Sequence, residues 1–119
     1  MNEQDKDLLL KEICSRLPYD IKVWYEDGIF NIDYISSIYG EIHLDIVDNY
    51  TIDVSEVKPY LFPMSSMTEE QKKEEYEICK YYINGYESKL IDFYNKNHLD
   101  YRGLIPKGLA LDATNFNVY

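Results

Sequence analysis

Apolar residues recur at helical spacing in Leu9, Leu10, Ile13, Cys14 and Leu17. Asp and Glu crowd the start of that stretch, while Lys11 and Arg16 lie later, as the helix macrodipole favours. The pattern predicts an amphipathic helix over residues 3–17, ended by Pro18, because a residue before proline is pushed out of the α region. The period then changes to two. Ile21, Val23 and Tyr25 alternate with Lys22, Trp24 and Glu26, and beyond Asp27-Gly28, Phe30, Ile32 and Tyr34 alternate with Asn31 and Asp33. Asp-Gly is a hairpin signal, with the glycine expected to supply the positive φ. After a break near residues 36–40, Ile42, Leu44 and Ile46 alternate with His43 and Asp45, and residues 51–54 form a weaker fourth run. Three or four antiparallel strands follow. Ile32, Tyr34, Leu44 and Ile46 fall on an apolar face, and Asp33 and Asp45 on an acidic, partly aromatic one.

Residues 58–63 contain two prolines and so do not suit a central strand; they read as an extended crossing segment that pins Tyr60 and Phe62 into the core. Thr68 and Gln71 have the spacing of a capping box, with Met67 placed as its staple. From there Tyr76, Cys79, Ile83, Tyr86, Leu90 and Phe93 recur at intervals of three and four. Asn84-Gly85 interrupts them, which divides the stretch into two helices near 68–83 and 86–97. The predicted fold is α+β, with an N-terminal helix, the antiparallel sheet and C-terminal helices packed on one face of it. Residues 1–114 read as one domain and 115–119 as a loose tail.

Composition narrows the class. A chain of 119 residues with 45% hydrophobic and 15% aromatic content has the material for one folded domain and not for a disordered segment. Thirteen tyrosines suit half-buried positions and interfaces. No run reaches the ~18 apolar residues of a membrane span, and the acidic start lacks the positive region of a signal peptide. A cytoplasmic protein is expected, with Cys14 and Cys79 as buried, reduced thiols.

Charge changes the picture further. The net charge is −10, and nearly all of it lies in residues 23–57. That segment carries Glu26, Asp27, Asp33, Glu41, Asp45, Asp48, Asp53 and Glu56 and no Lys or Arg. Such a surface does not bind phosphate directly, since nucleic-acid affinity rests on basic residues. It suits a protein partner with a basic surface. The candidate interaction surface is Glu26, Asp27, Asp33, Glu41, His43, Asp45 and Asp48. Its sharpest form is nucleic-acid mimicry, in which carboxylates at strand spacing compete for a basic groove.

A second candidate lies near the C-terminus, where His98, Asp100, Tyr101 and Arg102 share one turn. A histidine and a carboxylate two residues apart can orient an imidazole or share a metal, as in a small enzyme or metal-binding protein. The simpler reading is structural. His98 closes a helix, Asp100 caps the turn over residues 102–105, Tyr101 packs and Arg102 pairs with a carboxylate. His43 beside Asp45 lacks the further ligands of a zinc site, and Asp45, Asp48, Asn49 and Asp53 do not match a calcium loop. There is no GxSxG elbow, and Gly103 and Gly108 lack the Lys-Ser/Thr of a phosphate loop. No cofactor motif is present. A non-enzymatic protein-binding role is the expected one.

The stretches KPYLFPMSSMTEEQKKE (58–74) and LIDFYNKNHLDYRGLIPKGLALDAT (90–114), with KEICSRLPYDIKV (11–23), resemble a family of short uncharacterised proteins. These occur in gut-associated bacterial genomes, their phages and mobile elements. The family typically shows His-His-Phe-Asp-Tyr-Arg-Gly-Leu-Ile where this chain has Asn97-His98-Leu99-Asp100-Tyr101-Arg102-Gly103-Leu104-Ile105. Asn97 thus replaces the first histidine of any two-histidine site. The resemblance implies an accessory protein of bacterial, phage or mobile-element origin and lends no chemistry.

Overall fold

Helix α1 (Glu3–Arg16) opens with the Asn2 side chain accepting from the Asp5 amide at 2.8 Å. This computed structural model describes residues 1–37, 39–45, 51–81 and 84–119, without the side chain of Ser37. A 3₁₀ turn at Leu17–Tyr19 takes Pro18, and Asp20, at φ 55°, swings the chain into β1 (Lys22–Tyr25). β1 pairs with β2 (Gly28–Ser37) in a register that sets Tyr25 opposite Gly28. The hairpin turn is therefore Glu26-Asp27, at φ 44° and 61°, and not the expected Asp27-Gly28. Two consecutive positive φ values are the mark of a type I′ turn, whose twist matches that of the strands. Gly28 serves another purpose. A Cβ there would lie 2.6 Å from the Phe30 ring.

β2 pairs with β3 (Glu41–Leu44), and its register shifts twice, between Ile32 and Tyr34 and between Ile35 and Ser37. At the first shift Asp33 and Tyr34 together oppose His43, the geometry of a β-bulge. The bulge corrects the expected alternation. Tyr34 leaves the apolar face and is half exposed beside Asp33, while Ile35 takes the core position opposite Ile42. Ile46, expected with Leu44, lies outside the described residues.

β4 (Ile52–Asp53), β5 (Lys58–Leu61) and β6 (Leu111–Asp112) complete a six-stranded sheet of order β4-β3-β2-β1-β5-β6. The sheet is mixed, because β5 runs antiparallel to β1 and parallel to β6, and Phe62 bridges Leu99 in parallel. It is thus larger than the three or four antiparallel strands expected. Pro59 is tolerated because it is paired on one side only: β1 pairs with Lys58 and Pro59, while β6 pairs with Tyr60 and Leu61. Tyr60 is buried as expected, whereas Phe62 is only half-buried.

The core joins Leu9 and Ile13 of α1 to Val23, Tyr25, Ile42, Leu44, Ile52 and Leu61 of the strands, with Leu104 and Leu109 closing it. Helix α1 thus covers the apolar face of the sheet, the place expected for the C-terminal helices. Those helices, α2 (Glu69–Tyr81) and α3 (Tyr86–Lys96), contribute no described residue to this cluster. The break between them falls at Gly85, φ 89°, and the capping box is present, with Gln71 N to Thr68 Oγ1 at 3.1 Å and Thr68 N to Gln71 Oε1 at 2.9 Å. The expected apolar stripe is mostly outward: Tyr76, Cys79 and Tyr86 are exposed, Phe93 is buried, and Ile83 lies outside the described residues. Both cysteines are free and exposed, not buried. Among the described residues no helix is long and apolar enough to cross a membrane.

The segment expected as a loose tail is anchored at its last residue. The Tyr119 hydroxyl accepts from Lys22 N at 3.0 Å and donates to the Tyr60 carbonyl at 2.8 Å, tying β1 to β5. Its ring stacks on His98 at 3.7 Å and leans on Phe62. Removing only the hydroxyl, in Tyr119→Phe, takes this partner from both main-chain groups and should cost about 0.5–1.5 kcal/mol in denaturant melts. A loss near zero would mean that the tail does not hold the two strands.

Candidate functional site

The face of the sheet turned away from α1 holds the first candidate. Val23 and Tyr25 point into the core, so Lys22 and Trp24 point outward. Register carries Asn31, Ile29 and Lys58 onto the same face, and the bulge adds Asp33, Tyr34 and His43. Asp33 Oδ2 lies 3.1 Å from His43 Nδ1, and the His43 ring stacks on Tyr34 with centroids 4.8 Å apart. Asp45 accepts from Asn31 N at 3.2 Å and from Asn31 Nδ2 at 3.3 Å, and Lys22 Nζ donates to Asn31 Oδ1 at 2.7 Å. Glu41 Oε2 accepts from Thr51 at 3.3 Å.

The structure brings Asp33, His43 and Asp45 together, with Glu41 at the far end of β3. Glu26 and Asp27 stand apart at the hairpin tip, and Asp48 lies outside the described residues. Two acids of the same segment are structural instead. Asp53 takes a salt bridge from Lys6 at 2.9 Å, which holds its carboxyl down at about 2 against the opposing effect of burial. Glu56 closes a capping box on Asp53 N at 3.2 Å. Among the described residues no three His, Cys, Asp or Glu side chains converge as metal ligands.

The second candidate is a structural joint. His98, at φ 57°, takes the left-handed position after α3, with His98 N bonded to Asn95 O at 3.1 Å and Leu99 N to Tyr94 O at 2.9 Å. This is the Schellman motif, with histidine in the place glycine usually holds. Asp100 uses both carboxylate oxygens on main-chain amides, Leu104 N at 2.8 Å and Ile105 N at 2.9 Å. Two guanidiniums lie over the Tyr101 ring, Arg16 at 5.3 Å and Arg102 at 4.6 Å from its centre. Arg102 pairs with Glu12 at 3.2 Å. The capping, packing and pairing expected of Asp100, Tyr101 and Arg102 are therefore what these side chains do.

Glu12 and Arg16 were not among the expected functional residues. Both are fully buried and paired with each other, and Arg16 also donates to the Leu99 carbonyl. A signal was present, because positions 9, 12, 13 and 16 lie on one helical stripe and two of them are charged. Nearby, a cleft of about 310 Å³ is floored by Phe62 and Leu99 and walled by Thr68, Gln71 and Asn97. Its lining has no charged side chain, and Gln71 and Asn97 bond each other at 3.3 Å. No family model, curated protein or solved structure matches this chain.

Burial, reinforced by the Arg16 guanidinium, holds the His98 imidazole down at about 4; Asp20 opposes the shift and Lys22 adds to it. A folded pKa below the unfolded value of roughly 6.5 means that the neutral ring favours the fold. This stabilisation is complete above the unfolded value and is lost as pH falls toward 4. Asp53, held at about 2, loses its own contribution only at lower pH. His98→Asn keeps a residue that tolerates the left-handed position and removes the titration. The melting temperature of wild type should therefore fall more steeply than that of His98→Asn between about pH 6.5 and 4. Parallel curves would contradict the burial of a neutral imidazole.

Proposed function

We propose that this chain is a non-enzymatic protein-binding module that uses the outer face of its sheet, with a partner presenting basic groups to β2 and β3. The observation carrying the reading is the exposure of Ile29 and Tyr34, 48% and 50%, on the face that also carries the carboxylates of Asp33 and Asp45. Exposed apolar and aromatic area rimmed by charge is what protein interfaces use. Lys22 and Lys58 share the face, on β1 and β5, so its charge is graded across the strands and not uniformly negative. That gradient favours a protein with complementary charge over the uniform mimicry of a nucleic acid.

The competing reading, an enzyme or metal protein centred on His98 and Asp100, finds less support. Tyr119 covers the imidazole and main-chain amides occupy both oxygens of Asp100.

The test is Asp33→Lys with Asp45→Lys. Both side chains are exposed, and surface pairs of this kind contribute only about 0–1 kcal/mol, so the variant should fold. Association with the isolated partner should slow roughly tenfold or more while dissociation changes little, and wild-type binding should weaken with salt. Equal, salt-independent association by both proteins would contradict the proposal.

A further inference from the structure

Helix α2 is 13 residues long and buries none of them. A helix of that length is marginal in water and draws its stability from packing an apolar face. Toward α3 it offers only half-buried side chains: Gln71, Glu75 and Ile78. Glu75 accepts from the Tyr94 hydroxyl at 2.6 Å and Gln71 reaches Asn97. The other side is open. Tyr76 and Tyr81 are 64% and 68% exposed, and the Lys80 ammonium stands 5.9 and 5.5 Å from their ring centres. Tyr76 and Tyr81 are five residues apart, about 140° around the helix, so they flank its open side; large aromatic groups left outside the core mark a surface that another molecule covers.

The charges on that side say which molecule. Glu70, Lys73, Glu77 and Lys80 follow one another at intervals of three and four, so they share one face, with Tyr76 among them. Glu75 is the middle residue of α2. A two-fold axis there, with a second α2 running antiparallel, sets Lys73 opposite Glu77 and Lys80 opposite Glu70. Each pair occurs twice by symmetry. Two parallel helices in register would set every one of these charges against its own kind.

We propose that α2 is a self-association surface, through which two copies of this chain pair antiparallel about Glu75. A helix of this length spans about 20 Å. The contact is therefore smaller than the roughly 1,200–2,000 Å² of standard stable interfaces, and the dimer is weak and concentration-dependent. This surface lies apart from the sheet face, so the two can act independently.

Sedimentation equilibrium of the full chain over a wide concentration range provides the test. Wild type should show a monomer–dimer equilibrium. Lys73→Glu alone and Glu77→Lys alone each turn two attractive pairs into repulsive ones and should weaken the dimer roughly tenfold or more. The double variant Lys73→Glu/Glu77→Lys restores opposite charges and should recover dimerisation. Asp33→Lys/Asp45→Lys should dimerise as wild type does, which separates this surface from the sheet face. Circular dichroism should be unchanged throughout. A wild type monomeric at every concentration, single reversals without effect, or a double variant no better than the singles would overturn the proposal.

Discussion

The ion pair between Glu12 and Arg16 is the constraint on which the rest of the molecule depends. Both side chains are fully buried, one helical turn apart, on the stripe of α1 that also carries Leu9 and Ile13. Taking two charges out of water costs several kcal/mol per ion, so each must be answered at short range. Arg16 answers Glu12 and then donates to the Leu99 carbonyl, while Arg102 brings a second guanidinium to the same carboxylate. Two cations and one anion leave a charge of +1, which the ring of Tyr101, close to both guanidiniums, meets. Leu99 and Arg102, far along the chain, are thus fastened to α1. The turn so fixed then supports the sheet. Phe62 N donates to His98 O and Asp100 N donates to Phe62 O, both at 2.8 Å, and His98 provides the ring on which Tyr119 rests.

This joint and the position of α1 divide the surface by role. With α1 on one side of the sheet, its other side stays open, and strand order decides what that side displays. The segment rich in acids runs through β1 to β4, while Lys22 and Lys58, which bound it in sequence, lie on the adjacent strands β1 and β5. A charge boundary in the sequence thereby becomes a charge gradient in space. Of the helical hairpin, α3 buries Phe93 and Asn95 while α2 buries no residue. The hairpin carries the exposed aromatic residues that the sheet does not need, so the two candidate surfaces differ in chemistry as well as in place.

Much of this was legible in the sequence where short-range chemistry decides the outcome. The change of period at Pro18, the Thr68–Gln71 capping box, the break at Asn84-Gly85 and the Asp100 cap all depend on neighbours within a few residues. What could not be read depends on register or on distant partners. Alternation alone put Tyr34 on the apolar face; one bulge against His43 reversed that, because an inserted residue inverts the side on which the next one stands. Pro59 argued against a central strand, yet β6, more than fifty positions later, leaves the proline unpaired on that side. The stripe through Tyr76, Cys79 and Tyr86 has core periodicity without a core to face. The acidic face was visible as composition, but the grouping of Asp33, Tyr34 and His43 was not. Tyr119 offered no signal at all, since its partners Lys22, Tyr60 and His98 are spread over the whole chain.

The most direct test of this account is a double-mutant cycle on the buried pair, read in denaturant melts. If Glu12 and Arg16 form the joint, Arg16→Met and Glu12→Leu should each cost about 3–5 kcal/mol, because each takes the fully buried partner from a buried charge. The double variant, which leaves neither charge of the pair, should then be clearly more stable than the sum of the single losses allows, by at least ~2 kcal/mol of coupling. Additive losses, or single losses below about 1 kcal/mol, would contradict the account, since effects that small belong to solvated surface pairs.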